Sequence, residues 1–124
     1  MKITTFNPQI VTNNPEPVIE LFEALGFEKR HTKEGIGIGE MKANDCRLKD
    51  VNGFHVDISR ASLPLPRDGV VIRMNVDDFD EAYKILESHG FKNDFGDVGE
   101  TGSSKSAVMG SPSGFKIVLI QHIK

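Results

Sequence analysis

The sequence predicts an α+β fold of two tandem βαβββ modules, with curved mixed sheets and a concave trough for a ligand. Two observations carry this. Each half holds an amphipathic helix that closes on a Gly-Phe pair, Gly26-Phe27 and Gly90-Phe91, 64 residues apart. Each half also holds a turn-and-strand segment, Asn52-Gly53-Phe54-His55-Val56-Asp57-Ile58 and Ser113-Gly114-Phe115-Lys116-Ile117-Val118-Leu119, 61 residues apart. Internal similarity of this kind, with the order of elements intact and a small difference in loop length, is the mark of a duplicated unit.

The elements follow in chain order. Residues 2–11 read as a strand, in which Pro8 implies an edge position or a bulge. Asn14-Pro15-Glu16 opens a helix, with an N-cap amide, proline in the first turn and an acid near the positive end of the dipole. Val18, Leu21, Phe22 and Leu25 form its apolar stripe, and Gly26 ends it. The segment EKRHTKE reads as a polar strand or hairpin arm. From Ile36 to Lys49 the glycines weaken any strand, so two short strands or one bent strand are expected there. After the Asn52-Gly53 turn, FHVDIS alternates strictly. Pro64 and Pro66 stiffen the segment that follows.

The second half repeats the order. VVIRMNV is a strand. Asp78 caps a helix whose stripe is Phe79, Ala82, Tyr83 and Leu86, and Gly90 ends it. FKNDF is a short strand, GDVGETGSSKS a Gly/Ser loop at the rim of the trough, AVMG a strand, SPSG a turn and FKIVLIQHI the closing strand. One domain over 1–124 results, with module 1 over about 1–60, a linker over about 60–68 and module 2 over about 69–124.

Composition narrows the function classes. The 124 residues, 38% hydrophobic and 27% charged, suit an ordinary globular domain. The formal net charge of −3 is spread without a basic block, which argues against nucleic acid and against an anionic membrane as partner. No apolar stretch approaches the ~20 residues that span a bilayer, and the first residues lack the apolar run of a signal peptide. A single cysteine, Cys46, cannot form an internal disulfide. The expected compartment is the cytoplasm.

Alternation also assigns faces. Phe54, Val56 and Ile58 pack under the first helix, which turns His55 and Asp57 to the trough. Val70, Ile72, Met74 and Val76 pack under the second, leaving Val71, Arg73 and Asn75 opposite. Phe115, Ile117 and Leu119 do the same, leaving Lys116, Val118 and Ile120. Arg73 stands out, because an arginine in an apolar strand seeks a carboxylate or phosphate. Its partner is either an anionic group of a ligand or an internal acid such as Asp57. Arg47 and Lys49 either add positive charge to the trough or protect an edge strand.

Other chemistry finds little support. GIGIGE opens no helix, and GETGSSKS lacks the adjacent Gly-Lys of a phosphate loop. Cys46 has no evident base beside it. Of the histidines, His31 and His122 read as solvated, and His89 as a helix-terminal cation.

The Leu25-Gly26-Phe27 pattern, the segment VDDFDEAYKILESHGF and the terminal SPSGFKIVLIQ resemble the vicinal oxygen chelate superfamily, which includes glyoxalase, bleomycin-resistance protein and extradiol dioxygenase. The resemblance covers nearly the whole chain. It implies a protein that binds a small organic molecule, anionic if Arg73 serves it, and that pairs as a homodimer. In the superfamily's enzymes a divalent metal is held by one residue in the first and one in the last strand of each module, and serves as a Lewis acid. Those places fall near Asn7 and Val71 and at Asp57 and Val118. Only Asp57 is a good ligand, so no cofactor is expected; a divalent metal, if held, would sit on Asp57. The ligand-binding set is therefore Asn7, His55, Asp57, Arg73, Asn75 and Val118, without an assigned catalytic residue. The alternative is a metal-dependent lyase, isomerase or dioxygenase of the glyoxalase type, its metal displaced onto Asp57, His55 and a partner chain.

Overall fold

A computed structural model describes the backbone of residues 1–38 and 41–123; the side chains of 30–38 and 41–44, His31 among them, lie outside the described residues. The elements run β1 (Ile3–Thr12), α1 (Pro15–Ala24), β2 (Glu28–Ile38), β3 (Met41–Lys49), β4 (His55–Ala61), β5 (Gly69–Val76), α2 (Phe79–Ser88), β6 (Lys92–Asn93), β7 (Gly99–Glu100), β8 (Ser104–Gly110) and β9 (Lys116–His122). The fold is α+β, and each half runs strand, helix, then antiparallel strands, with β7 an addition in the second. The Gly/Ser loop is thus partly a hairpin, because Gly99 pairs with Ser106 and Glu100 with Lys105.

Two compact units emerge, one of residues 7–70 and one of residues 1–6 with 71–124. Lys2 explains why the N-terminal residues join the second half: its N–H donates to Asp77 Oδ1 at 2.6 Å and its carbonyl accepts from the Asp77 N–H at 3.0 Å.

In the 7–70 unit the strand order is β2-β3-β4-β1. β3 pairs antiparallel with both β2 and β4, and β1 runs parallel to β4 with Gln9 opposite Asp57 and Val11 opposite Ser59. Of the two expectations for 36–49 the structure has two strands, the end of β2 up to Ile38 and all of β3 from Met41. β3 is interior, which corrects the edge-strand reading of Arg47 and Lys49. The edge belongs to β2. In the other unit the order is β5-β9-β8-β6, with β5 parallel to β9.

Each unit buries one sheet face under its helix. Cys46, Leu48, Val56 and Ile58 pack with Val18, Ile19, Phe22 and Phe27 in the first. Met74, Val76, Ala107, Met109, Ile117 and Leu119 pack with Phe79, Ala82, Tyr83 and Leu86 in the second. The second stripe is as expected. The first is rotated: Ile19 turns inward, while Leu21 and Leu25 are exposed. Asn14 stands at the N-cap without a side-chain cap bond, its N–H held instead by Thr12 Oγ1, whereas Asp78 Oδ1 caps α2 through the Glu81 N–H at 3.1 Å. Phe54, Val70 and Phe115 are exposed rather than packed under the helices; each lies near the N-terminal end of its strand. Phe115 still meets Phe91 edge to face, with centroids 5.5 Å apart.

The duplication extends to individual hydrogen bonds. Gly26 N–H donates to the Glu23 carbonyl and Phe27 N–H to Phe22; Gly90 and Phe91 repeat this on Glu87 and Leu86. Gly26 has φ +107° and Gly90 φ +89°, the left-handed region where a Cβ is strained. They differ in space: a Cβ on Gly26 meets nothing within 4 Å, whereas one on Gly90 meets Pro112 Cγ at 2.7 Å. Gly26→Ala is therefore expected to cost about 1–2 kcal/mol of conformational strain, and Gly90→Ala distinctly more. Urea unfolding of the two variants against wild type measures the difference, and equal losses would refute the steric account.

Candidate functional site

Strand alternation that sends one set of side chains under a helix sends the next set to the opposite face. In the 7–70 unit that face carries Asn7 and Gln9 from β1, Asp45 and Arg47 from β3, and Asp57 and Ser59 from β4. Asn7, Gln9, Asp57 and Ser59 are buried, and Asp57 has no exposed surface at all.

A carboxylate so buried must be paired and hydrogen-bonded. Arg47 does this in bidentate fashion: Nε donates to Asp57 Oδ1 at 3.1 Å and Nη2 to Oδ2 at 3.0 Å. The Arg47 side chain remains 18% exposed. Asn7 locks the pair, its Nδ2 donating to Asp57 Oδ2 at 2.6 Å while its Oδ1 accepts from Arg47 Nη2 at 3.3 Å. The planar fork matches a carboxylate in a way an ammonium cannot. Gln9, in the row of Asp57, donates from Nε2 to Ser59 Oγ at 2.9 Å in the next row, and Ser59 Oγ donates to Asp45 Oδ1 at 3.4 Å. His55 lies half-buried at the start of β4, in register with Lys49.

In the 71–124 unit the corresponding face has a different character. Arg73 is in register with Val118, and Asn75 with Ile120; β8 continues these rows with Val108 and Ser106. Arg73 and Asn75 are buried, as are Val108 and Ile120, and Val118 is half-buried. Asn75 Oδ1 is buried without a hydrogen-bond partner among the described residues.

Sequence reasoning placed Asn7 with Asp57 on one face, and they are bonded to each other. It placed Arg73, Asn75 and Val118 on the face away from α2, and they are there. Arg47, which the sequence offered only as added positive charge or as edge protection, is bonded to Asp57. Gln9, Ser59 and Asp45 were missed. A signal for them existed: Asp45, Arg47 and Lys49 alternate with Cys46 and Leu48, the pattern of a strand with one face under a helix and the other turned to polar partners.

The donor set does not fit a divalent cation. Of the four positions the resemblance implies, Val71 and Val118 offer no side-chain donor, and both oxygens of Asp57 already accept from a guanidinium. A metal brought there would face a fixed positive charge. Among the described residues no group of three His, Cys, Asp or Glu side chains could hold an ion.

If the pair is what keeps Asp57 buried, removing one partner should be far worse than removing both. Arg47→Met is expected to cost about 3–5 kcal/mol, and Arg47→Met with Asp57→Leu to recover most of it. Chemical unfolding of both variants checks this; a double variant as unstable as the single one would show that the pair is incidental.

No family model and no curated protein sequence matches the chain. Solved structures do. A variant of Streptomyces coelicolor methylmalonyl-CoA epimerase, in complex with 2-nitronate-propionyl-CoA, superposes with a TM-score of 0.71 at 15% identity, covering 99% of this chain and 100% of that one. A glyoxalase/bleomycin resistance protein/dioxygenase superfamily member from Vibrio splendidus gives 0.64 at 16% identity, covering 97% and 99%. A glyoxalase I mutant from Zea mays gives 0.65 at 16% identity, over 97% of this chain and 43% of that longer one. Identities this low establish the architecture and leave the chemistry to the side chains.

Proposed function

We propose that this chain, which has the vicinal oxygen chelate fold of the glyoxalase and bleomycin-resistance proteins, binds a small organic molecule bearing an anionic group and does so without a catalytic metal. The observation that carries the reading is the helix-free face of the 71–124 unit. There a buried arginine, Arg73, and a buried amide, Asn75, stand on a floor of Val118, Ile120 and Val108, and the amide oxygen lacks a partner among the described residues. An apolar surface with a few placed polar groups is what small-molecule sites are made of, and a guanidinium favours a carboxylate or phosphate.

The metal-free part rests on Asp57. Its carboxylate is neutralised by Arg47, so the one good ligand of the four expected positions is engaged elsewhere. That argues for binding or sequestration over a metal-dependent lyase, isomerase or dioxygenase. In this reading Asn7, His55 and Asp57 shape the face of the first module, and Arg73, Asn75 and Val118 hold the ligand.

The chain would act in the cytoplasm as a homodimer. A lone buried thiol, Cys46, suits a reducing compartment. Among the described residues no helix is long and apolar enough to cross a membrane. Among the described residues of its unit β2 has β3 as its one neighbour, which leaves a strand edge for a second copy. Sedimentation equilibrium should give twice the chain mass of 13.7 kDa; a monomer at tens of micromolar would remove this part of the reading.

The binding claim is tested by thermal unfolding against a panel of small carboxylates and phosphate esters, with and without EDTA. A true ligand at a hundredfold excess over its Kd should stabilise by about 2.7 kcal/mol, EDTA should change nothing, and Arg73→Met should reduce the response. One tight equivalent of a divalent metal in the purified protein, lost on Asp57→Ala, would overturn the metal-free reading.

A further inference from the structure

The Arg73 face does not account for the polar network of the 7–70 unit. Two features there are unexplained. Arg47 spends Nε and Nη2 on Asp57 and Asn7, and among the described residues its Nη1 makes no hydrogen bond. Gln9 Oε1 is buried without a partner among the described residues, in a side chain of a residue only 9% exposed. Turning the Gln9 amide over does not remove the deficit, since it would orphan the nitrogen instead.

Both groups belong to one row. The register sets Gln9 opposite Asp57 across β1 and β4, and Asp57 opposite Arg47 across β4 and β3. The Arg47 side chain crosses β4 to reach Asn7 on β1, which brings its guanidinium beside the strand that carries Gln9. Side chains two apart on a strand share a face, so Asn7 and Gln9 point the same way. The guanidinium is clamped by three hydrogen bonds and keeps one nitrogen and 18% of its side chain available. A buried acceptor left without a donor costs roughly 1–3 kcal/mol, and native structures rarely carry such a cost without a role for it.

We infer that Arg47 and Gln9 form a second recognition site, which takes a carboxylate bearing a neighbouring hydroxyl or N–H. The carboxylate receives Arg47 Nη1 donors, and the neighbouring donor satisfies Gln9 Oε1. Asp57 and Asn7 are positioning residues that hold the fork still. This site serves in place of a metal on this face: the fixed cation is a side chain. It deepens the reading given under Proposed function, in that a ligand again occupies a helix-free face, but it names different residues.

The experiment uses the full-length, uniformly 15N-labelled chain in EDTA at constant ionic strength. Glycolate is titrated against propionate, which has the same size but no hydroxyl. The Arg47 Nε–Hε resonance, assigned by its loss in Arg47→Lys, is followed together with that of Arg73. Saturable movement of the Arg47 signal is expected with both acids, with glycolate bound roughly threefold to tenfold more tightly, the range of one neutral hydrogen bond. Gln9→Met, checked for an unchanged amide spectrum, should erase that preference and leave carboxylate binding in place. An Arg47 signal unmoved by either acid, or a glycolate preference that survives Gln9→Met, overturns the inference. If Arg73 alone moves, the Arg47 site is wrong while the anionic-ligand reading stands; if neither moves, both fail.

Discussion

A carboxylate with no exposed surface cannot stay ionised alone, and much of the first unit is arranged around that constraint at Asp57. Its position is set by β4, whose Val56 and Ile58 must lie under α1; Asp57 between them has to face the other way. There it meets Arg47 from β3 and Asn7 from β1, so three strands supply one ion pair. The same alternation that builds the apolar core thus delivers the charge to the opposite face. The pair adds little net stability compared with a well-packed apolar substitute. Its consequence is chemical: the face carries an oriented guanidinium where a free carboxylate would have invited a cation.

The two modules share their helix-side chemistry and diverge on the other side. Each helix ends in the same pair of hydrogen bonds at a Gly-Phe, and each closing strand follows a turn in which glycine has positive φ, Gly53 and Gly114. Packing under a helix demands apolar residues at fixed positions and tolerates little else. The helix-free faces carry no such demand. One became a hydrogen-bonded polar sheet of Asn7, Gln9, Arg47, Asp57 and Ser59. The other kept an apolar floor and placed Arg73 and Asn75 on it. Duplication with one face constrained and the other released is a route by which an architecture keeps its shape while its chemistry changes, which is why the fold match alone cannot carry an activity.

What was legible in the sequence follows from how local the determining physics is. Helix ends at Gly26 and Gly90, the Asp78 cap, the α2 stripe and the inward alternation of β4, β5 and β9 depend on neighbours within a few residues. Asp57 was placed by the alternation of its own strand, and Asn7 by the resemblance, which implies a site residue in the first strand of each module. The α1 stripe was misjudged because Ile19 and Leu21 are equally apolar, and only the angle at which the helix meets the sheet decides which is buried. Arg47 was misjudged because its role depends on where β3 lies in the strand order. Three glycines in the preceding segment obscured how it divides between β2 and β3, and an edge position gives charged residues a different meaning. Gln9 and Ser59 are ordinary polar residues; nothing local distinguishes a surface glutamine from one whose amide is enclosed by the sheet.

Register ties the polar network to the fold itself. A one-residue slip of a strand moves its whole apolar set to the wrong face, and on the helix side of the first unit Leu48, Val56 and Ile58 already forbid it. A two-residue slip keeps the faces and is the error an apolar core tolerates best. Here it would carry Arg47 past Asp57 and leave a buried carboxylate uncompensated, and it would part Gln9 from Ser59. The polar pairs therefore discriminate among alignments that hydrophobic burial cannot tell apart. A network held for register needs every donor and acceptor met, because each unmet group weakens the discrimination it provides. Asp57 and Asn7 satisfy that condition, but Gln9 Oε1 does not. Register alone explains the clamp on the guanidinium; the unfilled acceptor in the same row calls for something beyond the chain's own side chains.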